Sequence, residues 1–248
     1  MKIDDVLEEI EDNQRRARMI PYRRQDGTMD MFPAAKRGNS TYAYRTGKQL
    51  SVHKQMFLDG FVDYSVMFIT LVVPHNNSYY GCQDTWKATA KAIGPFIKAL
   101  KKKGVEKYFI VLEATSKGCC HTHLLTSWNR SLRASIQDGK FHLEEKDLLD
   151  FIKERWDREW TKVSDLLINN NSVAVQVCPN LKEAEKAFEY ASKYLGERSN
   201  IMKSLDRAHQ DKATSYDQGK LFTNYWASKT NRRVCRMSRN LSKGALYT

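Results

Sequence analysis

Two histidines separated by one residue are the strongest chemical signal in this chain. His121 and His123 lie in the segment GCCHTHLL, residues 118–125. A β-strand turns alternate side chains to the same face, so both imidazoles would point the same way. Imidazole is a common metal ligand, and two of them form half of a metal site. The pair therefore predicts a metal centre built on a strand.

A carboxylate on the preceding strand-like segment completes the ligand set. The segment YFIVLE, residues 108–113, precedes a short connection with a glycine available for positive φ, which predicts a hairpin. If residues 116–118 form its loop, Glu113 pairs across from His121 and lies on the histidine face. Glu113, His121 and His123 are thus the predicted metal ligands, with open coordination positions for a substrate.

Cys119 offers a rival ligand set. It shares the alternation of His121 and His123, and clusters of cysteine and histidine usually bind zinc. Structural zinc sites generally draw ligands from two separated pairs, and no second C-x-x-C or H-x-x-x-H pair occurs in the chain. The spacing therefore differs from that of a structural zinc knuckle.

Two tyrosines four residues apart supply a candidate nucleophile. Residues 181–196 carry an apolar stripe at helical spacing, with Tyr190 and Tyr194 along its flank and Lys193 one turn from Tyr190. A phenol is a poor nucleophile at neutral pH, so it needs a metal to polarise the electrophile and cations to offset developing charge. The alternative is a pair of amphipathic tyrosines at the edge of a core.

The elements that position these residues follow an α+β pattern. Strands are predicted at 65–73, in the two arms of the Glu113–His123 hairpin and at 172–177, and helices at about 85–103, 144–164 and 181–196. Residues 1–24 are predicted to be a helix and residues 131–140 a loop. The order β-α-β-β-α-β-α predicts a central antiparallel sheet with helices packed on one face and the other face left for substrate.

The charge of the chain indicates a polyanionic partner, and nucleic acid is the first candidate. The 248 residues contain 41 Lys and Arg against 29 Asp and Glu, a net charge of +12. No acidic residue follows Asp217, whereas basic residues do, interleaved with Phe222, Tyr225 and Trp226. Such a segment could hold phosphates and stack bases, or be a solubilising tail. The candidate DNA contacts are Lys186, Arg232, Arg233, Arg236 and Arg239.

Cysteine usage and hydropathy indicate a soluble cytoplasmic protein. The five cysteines are odd in number and mostly scattered, as in proteins of reducing compartments. The first ten residues are acidic and amphipathic, unlike a signal peptide, and no stretch has the length needed to cross a bilayer. We therefore expect no membrane association.

The three motifs together carry a family resemblance. The strand residues FITL (68–71), the histidine motif CHTHLL (120–125) and the helix residues YASKY (190–194) resemble the HUH endonucleases in this order. Most narrowly, they resemble the rolling-circle replication initiators of small plasmids and phages, and the Y-x-x-K-Y spacing is similar to the two-tyrosine branch. Conjugative relaxases place the tyrosine before the histidines, so the order disfavours them. The resemblance covers about residues 65–198 and implies an HUH/RRM-like domain at 61–200, between an N-terminal arm, 1–60, that could contact DNA and a basic segment, 201–248.

The resemblance implies a concrete activity. Glu113, His121 and His123 would hold Mg²⁺ or Mn²⁺ on a scissile phosphate of single-stranded or hairpin origin DNA, and Tyr190 or Tyr194 would attack it. The products would be a 5′-phosphotyrosine and a 3′-hydroxyl that a host polymerase extends, with a host helicase unwinding the duplex. Lys193 would stabilise the developing charge, and strand transfer would pass between both tyrosines.

Two departures from the family pattern and two alternatives accompany this expectation. Thr122 replaces the usual bulky apolar residue between the histidines, and residues 195–197 replace a further lysine.

One alternative is a transposase of the same superfamily, with the same chemistry. The other is a non-catalytic nucleic-acid-binding domain with a zinc site at Cys119, His121 and His123, in which the tyrosines stack on bases.

Overall fold

A seven-stranded antiparallel sheet forms the centre of the molecule. The computed structural model describes residues 7–8, 18–23, 29–34, 50–73, 79–165, 172–193, 195, 200–210, 212–229 and 235–238. Within them, the sheet contains β3 (Val66–Val72), β4 (Val105–Ala114), β5 (Cys120–Trp128), β6 (Ala134–Gln137), β7 (Lys140–Leu143), β8 (Val173–Cys178) and β9 (Cys235–Met237). The strand order is β6-β7-β8-β3-β5-β4-β9. The predicted α+β class with a central antiparallel sheet is confirmed.

Residues 7–8 are helical, and six further helices accompany the sheet in the described part of the chain. They are α1 (residues 50–58), α2 (Tyr79–Lys102), α3 (Lys146–Thr161), α4 (Leu181–Ser192), α5 (Asn200–His209) and α6 (Ser215–Lys229). Helix α4 begins at the N-cap Asn180, whose side chain accepts a hydrogen bond from the Glu183 N–H, and its C-cap is Lys193. It therefore ends before Gly196, the predicted terminus. No described helix is both long enough and apolar enough to cross a membrane.

Helices lie on both faces of the sheet, whereas the sequence predicted them on one. Helices α2, α3 and α6 cover the first face, where a buried cluster combines strand residues such as Ile69 and Leu124 with Trp86, Trp156 and Trp226. Burying such aromatic side chains is the largest apolar contribution a core can receive. This first face carries the main core of the molecule.

The second face carries a smaller cluster under helices α1 and α4. Phe109 of β4 stacks on Phe188 of α4 with ring centroids 4.3 Å apart, and Phe57 of α1 lies 6.1 Å from Phe188. Val111 and Leu125 complete the strand side of the contact. The packing covers only part of this face, so the end of the sheet that carries the histidines stays accessible beside α4.

The N-terminal region agrees with its helix prediction at residues 7–8, which are helical, and differs from it at residues 18–23. Residues 18–23 form strand β1 (Arg18–Arg23), which pairs with β2 (Met29–Ala34) in a separate two-stranded ribbon, where a helix was predicted. Each strand contains a proline: Pro21 pairs with Met31, and Pro33 pairs with Met19. Proline lacks an N–H and disrupts a helix, but an isolated ribbon has only edge strands, which tolerate it.

The segment predicted as a loop at 131–140 instead contains a second hairpin. Strands β6 and β7 pair in register around Asp138 and Gly139, which have φ values of 49° and 70°. An Asp-Gly dipeptide with positive φ at both positions is the turn that favours a two-residue hairpin. This signal was present in the sequence, and the hairpin adds two strands beyond β8.

The described part of the basic C-terminal segment belongs to the same fold. Helix α6 packs against β4, and β9 pairs with β4 at the sheet edge. Phe222, Tyr225 and Trp226 are all buried in the first-face core. The expectation that these aromatic side chains stack on bases is therefore wrong, because their rings are already packed against protein.

Candidate metal centre and tyrosine helix

The β4–β5 hairpin brings the predicted ligands together. Glu113 pairs with His121, as the sequence predicted, and the connection contains Gly118 with φ of 89°. The Gly118 N–H donates to the Thr115 carbonyl, and this closes the short loop. Because side chains two residues apart share a face, His123 lies beside His121 on the face that carries Glu113.

One carboxylate oxygen is the focus of the site. Glu113 Oε1 lies 2.8 Å from His123 Nε2, 3.4 Å from His121 Nδ1 and 3.4 Å from Lys193 Nζ. The ligand atoms of the three predicted metal residues all lie within 4.8 Å of one another. Glu113 and His123 are buried, while His121 is partly open to solvent. Their spacing suits a single bound ion with access from one side.

Electrostatics favour the metal-binding protonation states of Glu113 and His123. Burial by itself raises the pKa of the Glu113 carboxyl, but hydrogen bonds from His121 and His123 and the charges of His123 and Lys193 outweigh it and lower that pKa to about 2. Burial also lowers the pKa of His123, against the opposing effect of Glu113. At neutral pH the carboxylate is therefore ionised and the His123 imidazole favours its neutral form, as metal ligation requires.

Two buried polar atoms of the triad lack a hydrogen-bond partner among the described residues. They are Glu113 Oε2 and His121 Nε2. Buried acceptors are normally satisfied, so such a pair on neighbouring side chains indicates a missing partner. A cation beside these atoms would supply that partner. The residues present therefore fit a metal ion.

Thr70 is a site residue that the sequence analysis did not identify. It pairs with His123 across β3 and β5, and its Oγ1 lies 3.2 Å from His123 Nδ1. When a histidine binds a metal through one ring nitrogen, a hydrogen bond from the other fixes the tautomer and the ring orientation. Thr70 thus holds the His123 ring. The alternation of side chains along β3 was the available signal in the sequence. The register that pairs Thr70 with His123, however, is set only in the tertiary structure.

The tyrosine helix, α4, places Tyr190 against the ring of His123. The Tyr190 ring lies 5.2 Å from the His123 ring and 5.9 Å from Phe68, measured between centroids. Its side chain is 51% exposed, so it is within reach of a substrate. Lys193 Nζ lies 3.9 Å from the Tyr190 ring centroid, and this ammonium group links the tyrosine to Glu113. Tyr194 lies outside the described residues.

A cleft opens from the metal triad across the exposed part of the second face. Its volume is about 670 Å³, and it extends from the histidines past Gln176 of β8 to Lys140 and Phe141 of the β6–β7 hairpin. Lys186, a predicted DNA contact, and Tyr190 form its α4 wall. The unpredicted hairpin therefore supplies one end of the cleft.

Arg236, another predicted DNA contact, does not join this cleft. Arg236 lies on β9 opposite Ile110, a residue of the first-face core, so its side chain projects on the face away from the histidines. Arg232, Arg233 and Arg239 fall outside the described residues.

Cys119 does not join the metal triad. Its Sγ lies 2.7 Å from Cys82 Sγ of α2, and both belong to the first-face core. The contact with Cys82 and burial raise the pKa of the Cys119 thiol, which disfavours the thiolate that zinc binds. The rival Cys119, His121, His123 ligand set is therefore wrong, because strand β5 begins at Cys120 and the alternation does not extend to Cys119.

Comparison with protein-family models, curated proteins and solved structures finds no significant match to this chain. What the site can do must therefore be judged from its own chemistry.

Proposed function

We propose that this protein is an HUH-type endonuclease that nicks single-stranded or hairpin DNA through a tyrosine and initiates rolling-circle replication. One observation carries the proposal: Tyr190 lies against His123, on the sheet face where Glu113, His121 and His123 could hold a metal ion. A half-exposed phenol, an adjacent ammonium group and a His-His-carboxylate set form the combination that phosphoryl transfer to tyrosine requires.

The proposed cofactor is Mg²⁺ or Mn²⁺, held by Glu113, His121 and His123. When bound, it would supply a Lewis acid that stabilises the charge developing on the scissile phosphate. The hydrogen bond between Thr70 and His123 fixes the imidazole that faces Glu113. A preorganised ligand set loses little free energy to reorganisation when the charge develops.

Tyr190 is the proposed nucleophile of the cleavage step. Its phenolic oxygen forms a bond to phosphorus and loses its proton to solvent. The bond from phosphorus to the 3′-oxygen breaks, and that oxygen takes up a proton from solvent. The products are a 5′-phosphotyrosine and a DNA 3′-hydroxyl. Lys193, between Glu113 and the Tyr190 ring, offsets negative charge as the phenolic oxygen loses its proton. Rejoining reverses the same bonds, and Tyr194 remains the predicted second nucleophile.

The cleft beside Tyr190 is the proposed path of the single strand. Lys140 offers a cation for phosphates, and Lys186 lines the same cleft as a second cation whose Nζ is 2.7 Å from Glu183 Oε1. Phe141 and Gln176 offer an aromatic ring and an amide for a base. A volume of about 670 Å³ is within the range of sites that enclose a small ligand. The strand would therefore reach the metal triad between α4 and the β6–β7 hairpin.

The cellular setting is part of the same proposal. Nicking at an origin yields a 3′-hydroxyl that a host polymerase extends. The chain has no G-x-x-x-x-G-K-[ST] phosphate loop, so unwinding is assigned to a host helicase. The proposed location is the cytoplasm.

The test is a covalent-adduct assay with Mn²⁺ and a pool of labelled single-stranded oligonucleotides. Wild type, Tyr190→Phe, Tyr194→Phe and the double variant are compared on denaturing gels, with peptide mass mapping of the adduct. We expect an adduct at Tyr190 that chelator abolishes and that the double variant lacks. Tyr216→Phe is the matched control, because Tyr216 is also exposed but lies on α6 and donates to the Lys193 carbonyl. DNA binding by the wild type without an adduct in the wild type or any variant would refute the nicking activity.

A further inference from the structure

Helix α2 presents a surface of one charge sign over most of its length. Between residues 87 and 102, every exposed residue is lysine, glycine or proline. Residues 87, 91, 98 and 102 fall on one side of the helix, since spacings of four and seven residues repeat the helical period. We define Lys87, Lys91, Lys98 and Lys102 as the basic stripe. At 1.5 Å per residue it is about 22 Å long.

A groove beside the stripe extends the positive surface. Helices α2 and α3 border a depression of about 700 Å³, lined by Lys98, Lys102, Lys103, Arg155 and Lys162 together with one carboxylate, Glu159. That carboxylate is already engaged, because Arg155 Nη2 lies 2.6 Å and Lys162 Nζ 2.9 Å from its Oε1. The groove therefore keeps a net positive charge, which adds to that of the stripe.

An ordinary solvated helix face does not explain this arrangement. The neighbouring helix α3 mixes signs on its exposed side, with Asp147, Glu154 and Asp157 among Lys146 and Arg158. On α2, by contrast, the stripe sets like charges four residues apart at both of its ends, which destabilises a helix. Repulsion between these lysines lowers helix stability. Such an arrangement is expected where an anionic ligand neutralises the lysine charges.

We propose that the basic stripe binds the phosphate backbone of duplex DNA. Single-strand sites combine cations with exposed aromatic rings on which bases stack, and no residue of the stripe's exposed face is aromatic. The ring that lines the neighbouring groove, Phe151, is half-buried and has Lys103 Nζ 4.8 Å from its centroid. Lysines on a rigid helix suit sequence-independent contacts to a duplex backbone.

The position of the stripe gives it a role separate from cleavage. Helix α2 packs on the first face of the sheet, and Tyr190 stands on the second. The inference extends the proposed function, since a single strand held near Tyr190 continues into duplex DNA that a second site could hold. Duplex binding through the stripe nevertheless requires neither the metal triad nor the tyrosine.

The experiment compares two triple variants of equal charge change. One is Lys91→Gln, Lys98→Gln, Lys102→Gln in the stripe. The control is Lys146→Gln, Arg158→Gln, Lys212→Gln, which are exposed cations on other elements. Binding to a blunt duplex of about 20 base pairs is measured by fluorescence anisotropy over a salt series without metal, and circular dichroism verifies folding. We expect the stripe variant to lose at least about tenfold in affinity and two to three units of salt slope.

The control variant should lose no more than a small part of that affinity. Equal losses in both triple variants would overturn the proposal, because they would show only the effect of net charge. Loss of binding to phosphatidylserine vesicles without loss of duplex binding would overturn it in favour of a lipid surface. The covalent-adduct assay on single-stranded DNA separates the two proposals: duplex binding through the stripe can persist without any adduct, and adduct formation can persist in the stripe variant.

Discussion

At the scale of single residues, the site depends on one buried oxygen atom, Glu113 Oε1. Two imidazoles and an ammonium group converge on it at distances of 2.8–3.4 Å. Such a convergence is compatible with burial only because the surrounding groups compensate the carboxylate charge. A bound metal ion would compensate the carboxylate charge in their place. The orientation of each imidazole would then determine how well it binds the metal.

Thr70 is expected to control that orientation. Thr70→Val keeps the volume but removes the oxygen that lies 3.2 Å from His123 Nδ1. Losing such a supporting hydrogen bond typically weakens metal binding by about 10- to 100-fold. Isothermal titration with Mn²⁺ at pH 7 would measure this loss. The matched control is Thr122→Val, since Thr122 lies between the histidines in sequence and on the opposite face in the sheet. Equal Mn²⁺ affinity for Thr70→Val and wild type would show that Thr70 does not position His123.

At the scale of elements, the tyrosine helix is anchored at its start and along its buried side. Asn180 caps its first turn, and Phe188 packs on Phe109. Near its far end, Lys54 Nζ of α1 lies 2.7 Å from Glu189 Oε1. That pair is solvent-exposed, so it contributes little to stability. The cap and the apolar contact therefore hold Tyr190 beside the histidines.

The cap is testable with two substitutions at one position. Asn180→Ala removes the oxygen that accepts the Glu183 N–H and should lower the free energy of unfolding by about 1 kcal/mol. Asn180→Asp keeps an acceptor and adds a negative charge that favours the helix N-terminus, so it should remain within about 0.5 kcal/mol of wild type. Urea denaturation followed by circular dichroism measures both. An equal loss in the two variants would mean that the hydrogen bond does not stabilise α4.

At the scale of the whole molecule, the described helices and strand after residue 200 pack with the sheet core. The Ala114 N–H donates to Thr223 Oγ1 of α6 over 2.7 Å, one residue from the candidate metal ligand Glu113. Trp226 is fully buried. Helix α6 itself begins with a reciprocal cap, in which the Thr214 N–H donates to Asp217 Oδ2 and the Asp217 N–H donates to Thr214 Oγ1. The strand that carries Glu113 is thus supported from the C-terminal side.

A pair of truncations tests this support. A chain that ends at residue 200 loses α5, α6 and β9 and exposes the first-face core, so we expect no cooperative thermal unfolding. A chain that ends at residue 238 keeps every described element and should unfold cooperatively, within a few degrees of the full chain. Differential scanning calorimetry measures both transitions. A cooperative transition in the shorter chain would show that residues 1–200 fold without α5, α6 and β9.

The sequence alone determined the local features of the site. The Glu113–His121 register follows from a hairpin of short loop length, because neighbouring residues and turn geometry decide which side chains oppose each other. The apolar stripe of α4 and the strand content of β3 and β8 were likewise readable from periodicity. Two other segments also carried local signals. The Asp138-Gly139 dipeptide favours a hairpin, but the composition around it resembles a loop. The spacing of Phe222, Tyr225 and Trp226 favours a buried helix face, but the basic charge of that segment indicated a nucleic-acid contact.

Only the tertiary structure decided which distant residues meet. Tyr190 and His123 are separated by a long stretch of chain, and they come together because β8 pairs with β3 and α4 then crosses the second face. Thr70 reaches His123 through the β3–β5 register, and Cys119 turns away to Cys82 in the first-face core. The physical reason is that periodicity specifies which side of an element is apolar, whereas strand order and face selection depend on packing of the whole core.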